Sequence, residues 1–307
     1  MSRTHLIIAL VLVATFLLGI SIYWFASPAP VPPAEPPPAP PSGLPPAPTE
    51  APTSTSATIG QSVEGRAIHA HTYGTGETDL LFVGGIHGGY EWNSILLAYE
   101  AMDLFAEDPA AIPDNVTVHI IPNLNPDGLY AATGLTGHFV VSDITDYSMH
   151  ETGEGRFNAN DVDLNRNFDC KWEPESTWRG RSVSAGTGPF SEPEAAALRD
   201  YVTTTDPAAV VFWHSRANNV YASECVEGVL PETITLMNTY ADAAGYGAVE
   251  TFDAYPITGD AEGWLASLGI PAVTVELATR TSPEWERNQA AIEALLAAYA
   301  EDGMLAR

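Results

Sequence analysis

Cysteine is scarce in this chain, which holds only Cys170 and Cys225 among 307 residues. Two thiols are too few for a structural zinc cluster built from cysteines or for a scaffold of several disulfides. Spacing alone cannot establish disulfide geometry. The sequence therefore leaves two alternatives open, a single bridge between Cys170 and Cys225 or two free, buried thiols.

Basic residues are also few. The chain has 12 Lys and Arg against 39 Asp and Glu, so its formal net charge is −27, and Lys171 is its only lysine. Such a surface repels nucleic acid and anionic lipid, so we expect no nucleic-acid partner. The acidity suits high salt or an acidic exterior, and a lineage bias in composition would produce it equally well.

A charge-free, mostly apolar run occupies residues 6–26. As a helix it is long enough to cross a hydrocarbon core of about 30 Å. A cleaved signal usually has an apolar region of only about 7 to 15 residues. We therefore predict a transmembrane signal-anchor over residues 1–27, with a signal peptide as the alternative. Arg3 precedes the run and the next basic residue is Arg66, which places the rest of the chain outside the cytoplasm.

Proline dominates the segment that follows, with 13 prolines between Pro28 and Pro52. This composition cannot build a core and favours an extended, disordered linker. We assign the linker to residues 28–56 and one globular domain to residues 57–307, because about 250 residues is a normal size for a single α/β domain.

Short apolar runs rich in β-branched residues punctuate this domain, which indicates strands buried on both faces. Helical patterns lie between and after them, so we expect an α/β fold. The start of the domain, residues 60–74, alternates polar and apolar residues like an edge hairpin. The predicted strands are 80–86, 116–122, 209–214 and 272–277, and the predicted helices are 92–106, 192–203, 232–244 and 284–300.

Three potential zinc ligands follow predicted strands. His87 and Glu91 flank a Gly-Gly-Tyr turn, and His214 ends a later strand. Catalytic zinc commonly takes two His and one Glu and keeps one position for water. The alternative for the first pair is a turn histidine followed by a charge at a helix N-terminus.

Six motifs follow one another along the chain. They are the His87 to Trp92 element, NPDG at 125–128, DLNRNF at 163–168, GPFSEPE at 188–194, the strand His-Ser at 214–215, and Glu276 at the end of a strand. Over residues 58–307 the chain thereby resembles the zinc carboxypeptidase family, which includes the pancreatic carboxypeptidases. The resemblance implies a single α/β domain with a mixed, mostly parallel eight-stranded sheet flanked by helices, and one catalytic Zn²⁺.

The sequence departs from this family at one point. The family usually has two residues between its first His and Glu, whereas three separate His87 from Glu91. If the extra residue lies in the Gly-Gly turn, Glu91 remains the metal ligand together with His87 and His214.

The resemblance also assigns roles to charged residues. Glu276 becomes the general base and acid, and its alternative is a structural ion pair with Arg280. Asn165 and Arg166 bind the terminal carboxylate of the substrate, because an arginine fork matches a planar carboxylate. Arg156 becomes the oxyanion partner, and its alternative is an exposed loop arginine.

Two further residues complete the predicted substrate site. Tyr255 resembles the tyrosine of a mobile loop that closes over the substrate, and Glu262 falls at the base of the specificity pocket in the same register. A carboxylate there favours Lys, Arg or the free amine of diaminopimelate at the released residue. The alternative for Glu262 is a solvated glutamate at a helix start.

The sequence thus predicts a zinc metallocarboxypeptidase, monomeric in its catalytic domain and acting on peptides with a free C-terminal carboxylate. Amidohydrolysis of cell-wall peptides by the same kind of site is an alternative. Two others are deacylation of a small amino acid derivative and a catalytically silent binding module on a stalk.

Overall fold

The computed structural model describes residues 54–252 and 255–300. Within these residues no helix has both the length and the apolar character needed to cross a bilayer. The predicted signal-anchor lies outside the described residues, as does almost all of the linker. The location outside the cytoplasm that they imply therefore stays a prediction.

The described residues form an α/β domain around one mixed sheet of eight strands, with a separate two-stranded sheet. The strands are β1 (Ser54–Gln61), β2 (Ala67–Gly74), β3 (Thr78–Val83), β4 (Val116–Ile121), β5 (Glu175–Trp178), β6 (Arg181–Ser184), β7 (Ala209–Ser215), β8 (Asn219–Ala222), β9 (Gly247–Val249) and β10 (Ala272–Leu277). The order in the large sheet is β1-β2-β4-β3-β7-β10-β8-β9, and β5 pairs with β6 in the small one. The four central strands, β4, β3, β7 and β10, run parallel to one another, while β2 and β8 pair antiparallel at their flanks.

Helices cover both faces of the sheet, which buries its central strands as the apolar runs predict. The helices are α1 (Trp92–Glu107), α2 (Pro126–Thr133), α3 (Met149–Thr152), α4 (Pro193–Thr205), α5 (Pro231–Ala244), α6 (Ala261–Ser267) and α7 (Trp285–Ala300). One core joins the sheet to α1, α5 and α7, and a second core joins the opposite face to α4 and α6.

A disulfide joins Cys170 to Cys225, which confirms the predicted bridge and rules out the alternative of two free thiols. Cys170 follows the DLNRNF segment, and Cys225 lies between β8 and α5. The bond closes a sequence separation of 55 residues, which under the chain-entropy account restricts the unfolded chain strongly. It ties two segments of the same side of the domain together.

Glu100 in α1 should make the stability of the folded domain depend on pH. Its Oε2 is buried without a hydrogen-bond partner among the described residues, and burial, with the charges of Glu286 and Asp103, raises the pKa of Glu100 to about 7. Because this pKa is higher in the folded than in the unfolded state, ionisation destabilises the fold, and stability falls as pH rises from about 4.5 to 7.

We therefore expect Glu100→Gln to be more stable than the parent protein at pH 8 and equal to it near pH 4. One pKa unit corresponds to about 1.4 kcal/mol, and solvent screens a half-open carboxyl, so the gain should be roughly 1 to 2 kcal/mol. Urea unfolding at both pH values measures it. The exposed Glu107→Gln of the same helix is the control, and an equal gain there would contradict the explanation.

Candidate active site

The His87–Glu91 segment is a 3-10 turn that connects β3 to α1. Gly88–Glu91 forms the turn, and Gly88 has φ +45°, a conformation that favours glycine. A Cβ at Gly88 would lie 2.7 Å from the carbonyl oxygen of Gly155 and 2.9 Å from the backbone of Gly128. The additional residue is therefore accommodated by close backbone packing against the NPDG turn.

This turn brings both of its predicted ligands to His214 at the end of β7. His87, Glu91 and His214 are all buried, and one potential ligand atom from each lies within 4.8 Å of the others. The placement favours Glu91 as a ligand despite the three-residue spacing. Two imidazoles and one carboxylate form a donor set that suits a catalytic zinc ion.

Hydrogen bonds fix the orientation of Glu91. Its Oε2 accepts from the backbone N–H of Ser215 at 3.1 Å and lies 3.2 Å from Nδ1 of His214. The hydroxyl of Ser215 donates to Asn93 at 3.0 Å, and Asn93 donates to the carbonyl of Thr279 beyond β10. The strand His-Ser element therefore holds the glutamate as well as supplying a histidine.

The two histidines differ in their electrostatic environment. Burial and the charge of Arg156 hold the pKa of His87 well below its ordinary value. Burial also lowers the pKa of His214, but its close contacts with the carboxylates of Glu262 and Glu91 outweigh this and raise the pKa to about 10. A metal binds only a neutral imidazole, so a metal at this site would compete with protonation of His214.

Glu276 lies beside His214 because β10 and β7 are parallel and pair these two residues directly. Its Oε2 is buried without a hydrogen-bond partner among the described residues. Burial and the negative charge of Glu91 raise the pKa of Glu276 to about 7. The charge of Arg280 lowers the pKa of Glu276, but among the described residues the two side chains form no ion pair, so the structural ion-pair alternative is wrong. An unpaired carboxyl with this pKa is suited to proton transfer near neutral pH.

Asn165 and Arg166 line the same cavity, which has a volume of about 630 Å³. The side-chain oxygen of Asn165 accepts from the N–H of Ala261 at 2.8 Å, and Nε of Arg166 donates to the hydroxyl of Ser176 at 3.1 Å. Gly259 packs against the carbonyl of Arg166, where a Cβ would approach to 2.2 Å. The amide and the guanidinium are therefore held by different segments at one wall of the cavity.

Arg156 is 5% exposed, so the alternative of an exposed loop arginine is wrong. Its Nε and Nη2 donate to Oδ2 of Asp163 at 3.1 and 2.8 Å, and its Nη1 lies 3.9 Å from Oε1 of Glu91. Asn125 of the NPDG turn donates to the carbonyl of Arg156 at 3.4 Å. The NPDG and DLNRNF motifs thus hold this guanidinium next to the predicted metal ligands.

The predicted loop and pocket residues also reach the cavity. Tyr255 is 51% exposed at its rim, and its ring centroid lies 4.7 Å from that of Phe252. Glu262 is only 3% exposed, which excludes the alternative of a solvated glutamate. Its Oε1 lies 3.3 Å from Nε2 of His214 and accepts from the hydroxyl of Thr274 at 2.9 Å.

Sequence reasoning missed three residues of this site. Asp163 binds Arg156 and lies 3.7 Å from Nδ1 of His87, and its position inside DLNRNF was the available signal. Arg216 and Arg280 line the cavity as well. Arg216 follows His214 by two residues and Arg280 follows Glu276 by four, so their position just past site strands could have indicated them.

Taken together, these features define a metal-dependent hydrolase. Two histidines and a glutamate converge at the carboxyl ends of parallel strands, with an unpaired carboxyl and a buried arginine beside them. The zinc carboxypeptidase family profile matches residues 49–292, and the chain belongs to this family of zinc peptidases. The family resemblance and the predicted zinc cofactor are therefore confirmed.

Curated relatives include enzymes of two substrate types. A gamma-D-glutamyl-L-diamino acid endopeptidase 1 from Lysinibacillus sphaericus is 24% identical over 76% of this chain and 63% of its own length. Carboxypeptidase B of Astacus astacus is 31% identical over 47% of this chain and 48% of its own, and murein peptide amidase A of Escherichia coli is 33% identical over 42% and 54%. The chain thus covers less than two thirds of each of these relatives.

Solved structures share the fold. Murein-tripeptide amidase from Escherichia coli O157 superposes with a TM-score of 0.56 at 23% identity, covering 78% of this chain and 91% of that one. Bovine thrombin-activatable fibrinolysis inhibitor superposes with a TM-score of 0.60 at 20% identity, covering 81% and 88%. At these identities the similarity confirms the eight-stranded carboxypeptidase-like fold and no more.

Proposed function

We propose that this protein hydrolyses the peptide bond next to a free C-terminal carboxylate. The observation that carries the proposal is the convergence of a buried His-Glu-His group, an unpaired glutamate and an asparagine-arginine pair in one cavity. Each group matches one requirement of the reaction, namely metal binding, proton transfer and capture of a carboxylate. All three kinds of group are present in this chain, whereas a catalytically silent module would be expected to lack at least one of them.

His87, Glu91 and His214 would hold the zinc ion, which when bound supplies a Lewis acid to the scissile carbonyl. Glu276 takes a proton from the attacking water and delivers it to the leaving amine. Arg156 stabilises the negative charge that develops on the carbonyl oxygen, and Asp163 holds its guanidinium in place. Tyr255 closes over the substrate from the rim of the cavity.

Asn165 and Arg166 bind the terminal carboxylate, and this role gives the proposal its direct test. We expect peptides with a C-terminal amide to be cleaved at least about tenfold more slowly, in kcat/KM, than the same peptides with a free carboxylate. This estimate follows from the loss of charge-assisted hydrogen bonds of about 1.5 to 3 kcal/mol. Arg166→Met should lower the rate for the free peptide and abolish the difference between the two.

The control is Arg181→Met, which removes an exposed arginine of β6 that does not line the cavity. It should retain the discrimination of the parent protein. Equal cleavage of the free and amidated peptides by the parent protein would sink the proposal. Removal of zinc by a chelator, followed by its return, shows whether the activity depends on the metal.

Glu262 supplies the negative charge that selects a basic or diaminopimelate residue for release. It is buried in the cavity wall, and although burial favours the neutral acid, the hydrogen bond that the hydroxyl of Thr274 donates to its Oε1 helps to lower the pKa of Glu262. We expect Glu262→Gln to reduce the preference for C-terminal Lys over Phe about tenfold, because a paired charge in a partly dry pocket is worth more than 1 kcal/mol.

Two measurements separate this role from the contact between Glu262 and His214. Zinc content shows whether His214 still binds metal, and Glu224→Gln removes an exposed cavity carboxylate that pairs with Lys171. A Glu262→Gln variant that keeps both its zinc and its Lys preference would limit Glu262 to holding His214.

A further inference from the structure

Positive charge is concentrated in one place in this acidic protein. Half of the lysines and arginines in the described residues line the cavity of the candidate site. Three of them have an assigned function or partner: Arg156 binds Asp163, Arg166 belongs to the proposed carboxylate pair, and Lys171 pairs with Glu224. Arg216 and Arg280 remain.

Neither of these two arginines forms an ion pair with a carboxylate of residues 54–252 and 255–300, although the charge of Arg280 lowers the pKa of Glu276. Nε of Arg280 is buried without a hydrogen-bond partner in this part of the chain, and its guanidinium lies 4.6 Å from the centroid of the Tyr90 ring. Arg216 is exposed at the end of β7. In a chain with a large excess of carboxylates, two unpaired guanidinium groups at one cavity are available to an anion from outside.

Arg216 and Arg280 converge although 64 positions separate them in sequence. The parallel pairing of β7 with β10 ends at Ser215 and Leu277, and Ala217 donates from its N–H to the carbonyl of Leu277 at 3.1 Å. Both arginines line the same cavity.

The location of this pair differs from that of the proposed site for the terminal carboxylate. Asn165 and Arg166 are held by Ala261 and Ser176, whereas Arg280 stacks on Tyr90, the neighbour of the predicted ligand Glu91. If one carboxylate of the substrate is the C-terminal group at Arg166, a second one at Arg216 and Arg280 belongs to the acyl side of the scissile bond.

We infer that Arg216 and Arg280 form a second carboxylate site, which selects peptides whose residue before the scissile bond carries a carboxylate. This inference rests on the proposed peptidase function and deepens it. Two substrate chemistries supply such a group. It is the side chain of an α-linked Asp or Glu, or the free α-carboxylate of a γ-linked Glu.

Four peptides distinguish these sources. L-Ala-γ-D-Glu-L-Lys is compared with its α-carboxamide, and L-Ala-L-Glu-L-Lys with L-Ala-L-Gln-L-Lys, by measuring kcat/KM for release of lysine from the full chain. For at least one linkage the acid should be cleaved about tenfold faster than the amide, as expected for a charge-assisted hydrogen bond. The linkage with the larger ratio identifies the source of the carboxylate.

Arg216→Gln and Arg280→Gln should each bring this acid-to-amide ratio towards one, whereas Arg181→Gln should leave it as in the parent protein. Because Arg216 is exposed, its variant tests the site even if Arg280→Gln folds poorly. A ratio near one in the parent protein, or a ratio unchanged by both substitutions, overturns the inference while leaving the proposed function in place. Failure to release lysine from all four peptides counts instead against the proposed function.

Discussion

Glu276→Gln should abolish nearly all hydrolysis while leaving zinc bound. Glutamine has the same shape but cannot accept the proton of the attacking water, and general acid–base catalysis is worth about 10² to 10⁴ in rate. The buried Oε2 of Glu276 has no hydrogen-bond partner among the described residues, so the substitution breaks no hydrogen bond at that atom. Peptide hydrolysis together with zinc content of the purified variant measures both effects.

The expected result has a distinctive combination of outcomes. Zinc retained and hydrolysis lost assigns proton transfer to Glu276. Zinc lost with hydrolysis would instead show that Glu276 holds the metal site together, and undiminished hydrolysis would reject its assignment as the base. Glu107→Gln, an exposed substitution on α1, controls for the loss of one negative charge.

Gly88→Ala should have the second large effect, because it changes the turn that carries the two proposed metal ligands His87 and Glu91. The new Cβ would lie under 3.0 Å from the backbone of Gly155 and of Gly128. Gly128 belongs to the NPDG turn and Gly155 precedes Arg156, and a hydrogen bond from Asn125 to the carbonyl of Arg156 ties these two segments together. The φ of +45° adds strain for any residue with a Cβ. We expect zinc affinity to fall about 10- to 100-fold, as when the support of a metal ligand is removed.

Zinc affinity is measured by competition with a chelator of known affinity. Gly134→Ala is the matched control, because Gly134 has φ +71° but nothing lies within 4 Å of its Cβ position. The Gly134→Ala variant therefore has the backbone strain of a positive φ but no steric clash of the new Cβ. An equal loss of zinc affinity in both variants would show that close packing of the turn is unimportant.

The sequence predicts the central elements of the fold well. Apolar runs place β4 and β10 within a residue of their observed bounds, because a strand buried on both faces has a continuous apolar pattern. Strands β8 and β9 are short and mixed in composition, so no such pattern indicates them. They complete the sheet only because β8 pairs with β10 and β9 pairs with β8. The prediction of eight strands in the sheet rests on the family resemblance and not on the apolar pattern.

The site divides in the same way. His87, His214 and Glu276 follow from their places at strand ends, whereas spacing alone could not assign Glu91, since that depends on how the Gly-Gly turn packs. The contact of Glu262 with His214 is equally invisible, because it joins residues on α6 and β7. Long-range pairings of this kind require the three-dimensional arrangement.

The arginines of the cavity affect how fast an anionic peptide binds at different salt concentrations. At a distance such a peptide experiences the net charge of −27 and is repelled, whereas inside the cavity it meets unpaired guanidinium groups. Salt screens the first interaction more than the second, since the Debye length is about 10 Å at 0.1 M ionic strength. Capture of a dicarboxylate peptide should therefore become faster when salt is first added, the reverse of the usual behaviour of a positively charged cleft on a neutral protein.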